Sequence, residues 1–167
     1  MIPSHASETV VQGAVLFGKK PAKITERVMS ITYGAGCSRR FIRSVHPEEK
    51  KVVVDGREKC TDLLNIFVKE DEVVQIGKKF TSTFRLLHAN NNEFTGVFYS
   101  ASSPDSKFTT DPGVTMLGSV TVSSPDTWRG KEREIEVSMY FGRTEITATA
   151  RDVSSGNVAQ TTIDFLA

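Results

Sequence analysis

The last third of the chain, residues 111–165, alternates apolar and polar side chains in successive short runs. A period of two turns one face of each run toward a core and the other toward water, which is typical of a half-buried antiparallel sheet. The apolar positions are Met116, Gly118, Val120, Val122, Ile135, Val137, Met139, Phe141, Ile146, Ala148 and Ala150. Segments of turn-forming residues separate the runs at 111–113, 124–126, 142–143 and 154–157. The pattern predicts three hairpin-linked strands and favours a fourth after them.

Size and charge limit the classes of protein to which the chain can belong. With 167 residues, 38% of them hydrophobic and 25% charged, it can build one sizeable core or one domain with an appendage. The net charge is only +1, so no overall field attracts nucleic acid or an anionic membrane. No apolar run approaches the ~20 residues that cross a bilayer, and the first residues do not resemble a secretory signal. We expect a cytoplasmic protein, with the nucleus as a second compartment, that binds neither nucleic acid nor membrane.

Residues that could catalyse a reaction or bind a metal form no recognisable constellation in the sequence. His5, His46 and His88 are scattered through polar segments, and none adjoins a nucleophilic Ser or Cys. Cys37 and Cys60 could bridge the base of the stretch between them. Two thiols in an intracellular chain favour the reduced form, however, and the spacing does not match a zinc site. The sequence therefore predicts no catalytic residues, no metal site and no enzymatic activity.

Short motifs along the same third of the chain carry a family resemblance. They are, in order, MLG at 116–118, RG at 129–130, IEV at 135–137, ATARD at 148–152 and SSGN at 154–157. Their order and spacing resemble the β-sandwich substrate-binding domain of the DnaK-type, seventy-kilodalton heat-shock chaperones. Three further segments are most similar to the divergent twelve-A/twelve-B branch of that family. These segments are TYGAG at 32–36, RFIRSVHPEEKKVVVDGREKCTD at 40–62 and TDPGV at 110–114.

This resemblance implies an all-β fold, an antiparallel β-sandwich of the DnaK substrate-binding type, with a short N-terminal helical remnant. Residues 1–18, whose apolar side chains recur at helical spacing, would be a remnant of the last helix of a preceding ATPase domain. Residues 19–27 would form a linker and 28–167 the sandwich, with its first strand at 28–36 and an inserted hairpin at 37–61.

The same resemblance implies a division of labour between this chain and its parent protein. The ATPase domain would be missing here, so the parent would bind ATP and this chain would hold no cofactor. The linker is basic and polar where the family's is apolar, which leads us to expect altered ATP-controlled opening. The chain ends after its final strand, where the family continues into a helical lid, so bound peptide should leave quickly.

The inserted hairpin is longer than the loop found there in most DnaK-type chaperones. It carries Arg39, Arg40 and Arg43, then three valines before an Asp-Gly hairpin signal. One interpretation is a flap over the binding cleft whose arginine cluster contacts an acidic partner. The other is a solvated hairpin whose charges face water, as charged runs usually do.

The resemblance also implies a cleft in which loops arch over an extended, apolar-rich segment of a client polypeptide. The residues it assigns to this cleft are Ala35, Cys37, Ser38, Phe84, Leu87, Asn91, Phe94 and Gly96. Ala35 and Gly96 stand where the family has branched aliphatic residues, and Phe94 stands where it has a smaller Val. The pocket would therefore be either filled by Phe94 or opened beside Gly96. Packing in the core is the alternative role for Phe84, Phe94 and Phe98.

Two functional hypotheses follow. The first is a non-catalytic client-binding domain of a heat-shock-type chaperone, with extended or unfolded polypeptides, the ATPase domain and co-chaperones as partners. The alternative is a protein-interaction module with a closed cleft that recruits one specific partner through the inserted hairpin. An open groove between Ala35 and Phe94 favours the first hypothesis, and a groove plugged by Phe94 favours the second. The chain itself is expected to be a monomer or a weak dimer paired through an exposed edge strand.

Overall fold

The computed structural model describes residues 25–164, in which the chain forms eleven β-strands. The strands are β1 (Glu26–Val28), β2 (Thr32–Arg40), β3 (Lys51–Val54), β4 (Arg57–Val68), β5 (Val73–Gln75), β6 (Lys78–Arg85), β7 (Glu93–Ala101), β8 (Val114–Ser123), β9 (Glu134–Phe141), β10 (Glu145–Asp152) and β11 (Val158–Asp164). Two short 3₁₀ segments, Glu48–Lys50 and Thr127–Glu132, lie in the connections. The expected helical remnant, 1–18, and most of the expected linker, 19–27, fall outside the described residues.

The strands form two main sheets in which every neighbouring pair is antiparallel. One sheet has five strands in the order β3-β4-β2-β7-β8, and the other has four in the order β11-β10-β9-β6. Their inner faces share one core, which includes Tyr33, Ala35, Phe98, Val120, Val122, Ile135, Val137, Met139, Ile146, Ala148 and Ala150. The rings of Tyr33 and Phe141 meet edge-on across it, with centroids 5.8 Å apart. The predicted all-β, antiparallel sandwich is confirmed.

The last four strands, β8 to β11, are not all joined by hairpins. Strands β9, β10 and β11 form two successive hairpins, as the alternation predicts. Strand β8 instead pairs with β7 in the other sheet, so the chain crosses between sheets at 124–133. Arg133, which is 1% exposed, holds this crossing by donating to the backbone carbonyls of Ser124, Gly130 and Ala89. The hairpin predicted between β8 and β9 was therefore wrong.

A β-bulge in β8 changes which of its side chains face the core. Phe98 pairs with Gly118 and Tyr99 with Met116, so Leu117 is the extra residue. An extra residue reverses the in-and-out alternation on its far side. Met116 is consequently 58% exposed, whereas Val120 and Val122 further along the strand are buried as predicted. Simple alternation cannot reveal a bulge of this kind.

The first predicted strand, 28–36, is divided in two. Strand β1 takes the last two linker residues and Val28 and pairs with β5, and the buried Met29 follows it. Strand β2 begins at Thr32 and runs past Gly36 to Arg40, into the predicted insertion.

The remainder of the inserted hairpin is an ordered extension of the five-stranded sheet. Strands β3 and β4 are joined by Asp55 and Gly56, whose φ angles are 50° and 72°. Two successive positive φ angles are what a two-residue hairpin turn of type I′ requires, and Asp-Gly is among its preferred sequences. Phe41, Val54 and Cys60 are each no more than 6% exposed along the extension.

Candidate functional site

In the five-stranded sheet, the neighbouring strands β2 and β7 diverge after a short stretch of pairing. The two strands pair only from Thr32 to Ala35 on β2 and from Phe98 to Ala101 on β7. Beyond that point β2 continues beside β4 and β7 continues beside β8. Register shifts interrupt both of the outer pairings, and bulges of this kind bend a strand away from its neighbour. The result is a groove of about 650 Å³ between the diverging strands.

The walls of this groove come from both main sheets. One wall is formed by β2 and β4, and the other by the end of β6, the loop after it and β7. The lining side chains include Arg39, Arg40, Lys59, Thr61, Asp62, Asn65, Thr83, Arg85, Leu86, Glu93, Thr95, Val97, Tyr99 and Thr109. A volume of this size is within the range of ligand-binding pockets, roughly 300–1,000 Å³.

Six of the eight residues assigned to the cleft from sequence lie together around this groove. They are Cys37, Ser38, Phe84, Leu87, Asn91 and Phe94. The other two, Ala35 and Gly96, are buried beneath the groove surface, and Ala35 is 1% exposed. A bound chain could touch them only if the side chains above them moved.

Phe94 shapes the wall of the groove beside Gly96. A Cβ atom on Gly96 would lie 3.2 Å from Phe94 Cε1, so the absence of a side chain at Gly96 makes room for the ring. Phe94 also contacts Phe84, with ring centroids 6.0 Å apart and planes tilted by 51°. Of the two outcomes expected from sequence, the space beside Gly96 is filled by Phe94. The groove nonetheless stays open, because Phe94 forms part of its wall.

The three phenylalanines Phe84, Phe94 and Phe98 differ in whether they pack only in the core or also line the groove. Phe98 is completely buried and belongs to the central core. Phe84 and Phe94 are only partly buried, and they pack against the core on one side and line the groove on the other.

A polar bridge that sequence reasoning missed joins the two sheets beside the groove. Asn65 on β4 donates from Nδ2 to the Ser82 hydroxyl on β6 at 3.0 Å and accepts from Arg39 at Oδ1 at 2.7 Å. The second bond holds the Arg39 guanidinium beside Asn65. No sequence pattern marks this bridge, because it joins residues of three different strands.

Cationic side chains outnumber acidic ones along the groove. Arg39, Arg40, Lys59 and Arg85 line it, against Asp62 and Glu93. Asp62 forms a salt bridge with Lys50 at 3.0 Å, and Arg85 forms one with Glu134 at 2.8 Å. The wall formed by β2 and β4 therefore keeps an excess of positive charge.

The two cysteines are both free thiols, as expected from the sequence. Burial raises the pKa of the Cys37 thiol, and the neighbouring Arg39 lowers it by a smaller amount. Burial likewise raises the pKa of Cys60. Raised values favour the protonated thiol near neutral pH, which is the less nucleophilic form.

Neither a metal site nor a membrane-spanning helix is found in the described part of the chain. Residues 25–164 contain no cluster of three or more His, Cys, Asp or Glu side chains arranged to hold a metal ion. Within the same range, no helix is long and apolar enough to cross a membrane.

Comparison with known proteins gives the chain its relatives. No protein-family model matches it. It is 34% identical to human heat shock 70 kDa protein 12B over 174 residues, and 36% and 35% identical to mouse and human heat shock 70 kDa protein 12A over 169 residues. Each alignment covers 99% of this chain but 25% of the relative, so the chain spans about a quarter of the relatives' length. The motif-based resemblance is thereby confirmed, and the chain belongs to the seventy-kilodalton heat-shock protein family as a domain of the 12A/12B type.

Proposed function

We propose that this domain is a non-catalytic module that holds extended segments of client polypeptides in the groove between β2 and β7. The observation that carries the proposal is the splitting of the sheet. Beyond Ala35, β2 pairs with β4 on one side, and no strand among the described residues pairs with its other side.

An unpaired strand edge can bind a peptide by adding it to the sheet. The main-chain N–H and C=O groups of 36–40 on the groove side are then available to an extended chain. Main-chain bonds of this kind give affinity without depending on the client's sequence. A module that serves many clients needs this property.

Apolar side chains beside the free edge supply the second element of such a site. Phe84, Leu87, Phe94, Val97 and Tyr99 line the groove and are each only partly buried. Alternate side chains of an added strand point to the same face, so those that face this wall would bury apolar area against it. Short contacts of this type support modest affinity, in the micromolar range or weaker.

The relatives' names support a heat-shock role for the whole protein. The individual activities that such a role would include are proposals. ATP binding, co-chaperones and ATP-controlled opening would depend on parts of the protein outside the matched quarter of the relatives. The cytoplasm, with the nucleus as a second compartment, is the proposed location.

One observation favours the alternative function, recruitment of a single partner through the inserted hairpin. Strand β3 is an edge strand of the five-stranded sheet, and its Val53 side chain is 66% exposed. An exposed edge with apolar side chains can pair with another chain, whether a partner or a second copy.

A fluorescence-anisotropy titration of the 167-residue chain with labelled, extended, Leu-rich peptides tests the main proposal. We expect saturable binding that Phe94→Asp weakens by roughly tenfold or more, because a carboxylate then faces the apolar wall. Ser38→Trp provides a second test, since it fills the groove from an exposed position outside the core. Trp128→Asp is the matched control, because Trp128 is 82% exposed and lies outside the groove lining.

The outcomes separate the two candidate functions. Unchanged affinity in a folded Ser38→Trp variant would exclude the groove as the binding site. Binding that survives Ser38→Trp and is lost in Val53→Asp would instead support the hairpin edge.

A further inference from the structure

We infer that the groove selects client segments in which an acidic residue, Asp or Glu, lies a few positions from the apolar anchor. This inference rests on the proposed peptide-binding function and names the class of segment that the groove prefers. It comes from the unequal distribution of charge along the groove.

The first observation is a pair of like charges placed directly opposite each other. Arg40 on β2 and Lys59 on β4 are register partners, and both line the groove. Like charges at directly opposed positions destabilise a sheet, so an acidic group between them would relieve a repulsion that is built into the wall.

Two cations other than Arg40 also act on Lys59. Burial lowers the pKa of Lys59, and the nearby charges of Lys131 and Arg57 lower it further, against the opposing effect of Asp55. Asp55 itself forms a salt bridge with Lys131. No acidic side chain of the described residues lies within salt-bridge distance of Arg40 or Lys59.

The other acidic and cationic groups of the groove leave this cationic pair uncompensated. Asp62 on the same wall is already paired with Lys50. Arg39 is held by the neutral amide of Asn65 and adds a third positive charge to the wall. Charge complementarity therefore favours an anionic group from outside the chain at this end of the groove.

The spacing along β2 fixes where the acidic residue would lie. Gly36 is beside Tyr99 at the point where the strands diverge, and Arg40 is at the far end of the strand. Four residues of extended chain span about 13 Å. A client whose apolar side chain sits beside Val97 and Tyr99 would present to Arg40 and Lys59 a residue three or four positions away.

A polypeptide fits this combination better than a nucleic acid does. The wall opposite the cations carries Phe84, Leu87 and Phe94, and the net charge of the whole chain is only +1. Nucleic-acid binding relies on many cations that follow a phosphate backbone, whereas here a short cationic patch adjoins an apolar wall.

The test is an anisotropy titration with labelled peptides that share a Leu-rich centre. The peptides differ only at the two positions that lie three and four residues from that centre. These positions hold Asp, Asn or Lys, on the N-terminal side in one set and on the C-terminal side in the other. We expect the Asp peptide of one set to bind about three- to tenfold more tightly than its Asn version at low salt. The preference should shrink at high salt, since exposed charge pairs are screened.

Two variants localise the preference. Lys59→Gln should reduce the ratio of Asp to Asn affinity, because it removes one of the two charges that the acidic residue would meet. Lys79→Gln removes an exposed lysine of β6 that does not line the groove, and it should leave the ratio unchanged.

The results distinguish failure of this inference from failure of the proposed function. Equal binding of the Asp, Asn and Lys peptides would overturn the acidic preference and leave peptide binding intact. Absence of binding by every peptide would overturn the proposed function itself. Displacement of the Asp peptide by a labelled single-stranded RNA, with tighter binding of the RNA, would overturn the choice of a polypeptide ligand.

Discussion

Asp152 is the side chain whose ionisation should contribute most visibly to the stability of this domain. It is fully buried at the end of β10, where its Oδ1 accepts hydrogen bonds from the Ser154 N–H at 2.8 Å and the Ser154 hydroxyl at 2.7 Å. Burial alone raises the pKa of Asp152. The hydrogen bonds from Ser154 and Ser155, together with the nearby Ser124 hydroxyl, outweigh that effect and lower the pKa to about 2. The other carboxylate oxygen, Oδ2, is buried and accepts no hydrogen bond.

The size of the contribution follows from the difference between the folded and unfolded pKa values. A fall from 3.8 to about 2 corresponds to about 2 kcal/mol in favour of the folded state when the carboxylate is ionised. Because the folded pKa is the lower one, this stabilisation is complete above the unfolded pKa and is lost as the pH falls through the folded pKa. Roughly half of it should remain near pH 3.

Urea unfolding of the wild-type chain and of Asp152→Asn, at a series of pH values from 7 to 2.5, measures this contribution. We expect the variant to be about 2 kcal/mol less stable at pH 7, with the difference narrowing below pH 4 because the variant lacks the titrating group. Asp105→Asn, in an exposed loop, is the control and should show little difference at any pH. A difference between wild type and Asp152→Asn that stays constant down to pH 2.5 would refute the assignment of the depressed pKa.

Two further predictions concern the crossing between sheets and the inserted hairpin. Arg133→Met should lower the free energy of unfolding by about 3 kcal/mol, because three loop carbonyls, one of them in a fully buried contact, lose their charged donor. Arg129→Met, at an exposed site of the same loop, should cost little. Equal unfolding midpoints for the two variants would contradict this role. Gly56→Ala should cost about 1 kcal/mol through its positive φ alone, since no atom lies within 4 Å of the added Cβ. Gly118→Ala, which is equally uncrowded but lacks a positive φ, is the matched control, and an equal cost in both would argue against a backbone origin.

Much of the fold could be predicted from sequence because local rules and tertiary packing agree there. The alternation of β9 and β10 is regular, and a short turn segment separates them, so their existence and their hairpin follow from the pattern, which also favours a further strand at β11. The Asp-Gly turn was equally predictable from sequence, because few residue pairs tolerate two positive φ angles.

The errors arose where a long-range contact overrides the local pattern. The bulge at Leu117 depends on how β8 aligns with β7. The connection by which β8 leaves the hairpin series is bonded by the buried Arg133, a charged residue that local patterns place at the surface. Pairing of the predicted linker residues with β5 likewise involves a partner more than forty residues away.

The candidate groove was only partly predictable for the same reason. Alignment to the family motifs located six lining residues, because a shared fold keeps strand positions equivalent. The same alignment could not show that Phe94 covers Gly96, since that depends on the path of one side chain. Nor could it show the bridge through Asn65 or the opposition of Arg40 and Lys59, which arises from a register shift between β2 and β4.

The inserted hairpin gives the groove both its free edge and its charge. Because β4 pairs with β2 as far as Arg40, it supports β2 beyond the point where β7 departs, and the groove-side edge of 36–40 stays extended. The same extension brings Lys59 beside Arg40. The structure therefore adds a third interpretation of the insertion to the cover for the cleft and the solvated hairpin, one in which its base is a wall of the groove. On this view the apolar wall is the feature that the domain owes to its family fold, and the acidic preference is the feature that its insertion adds.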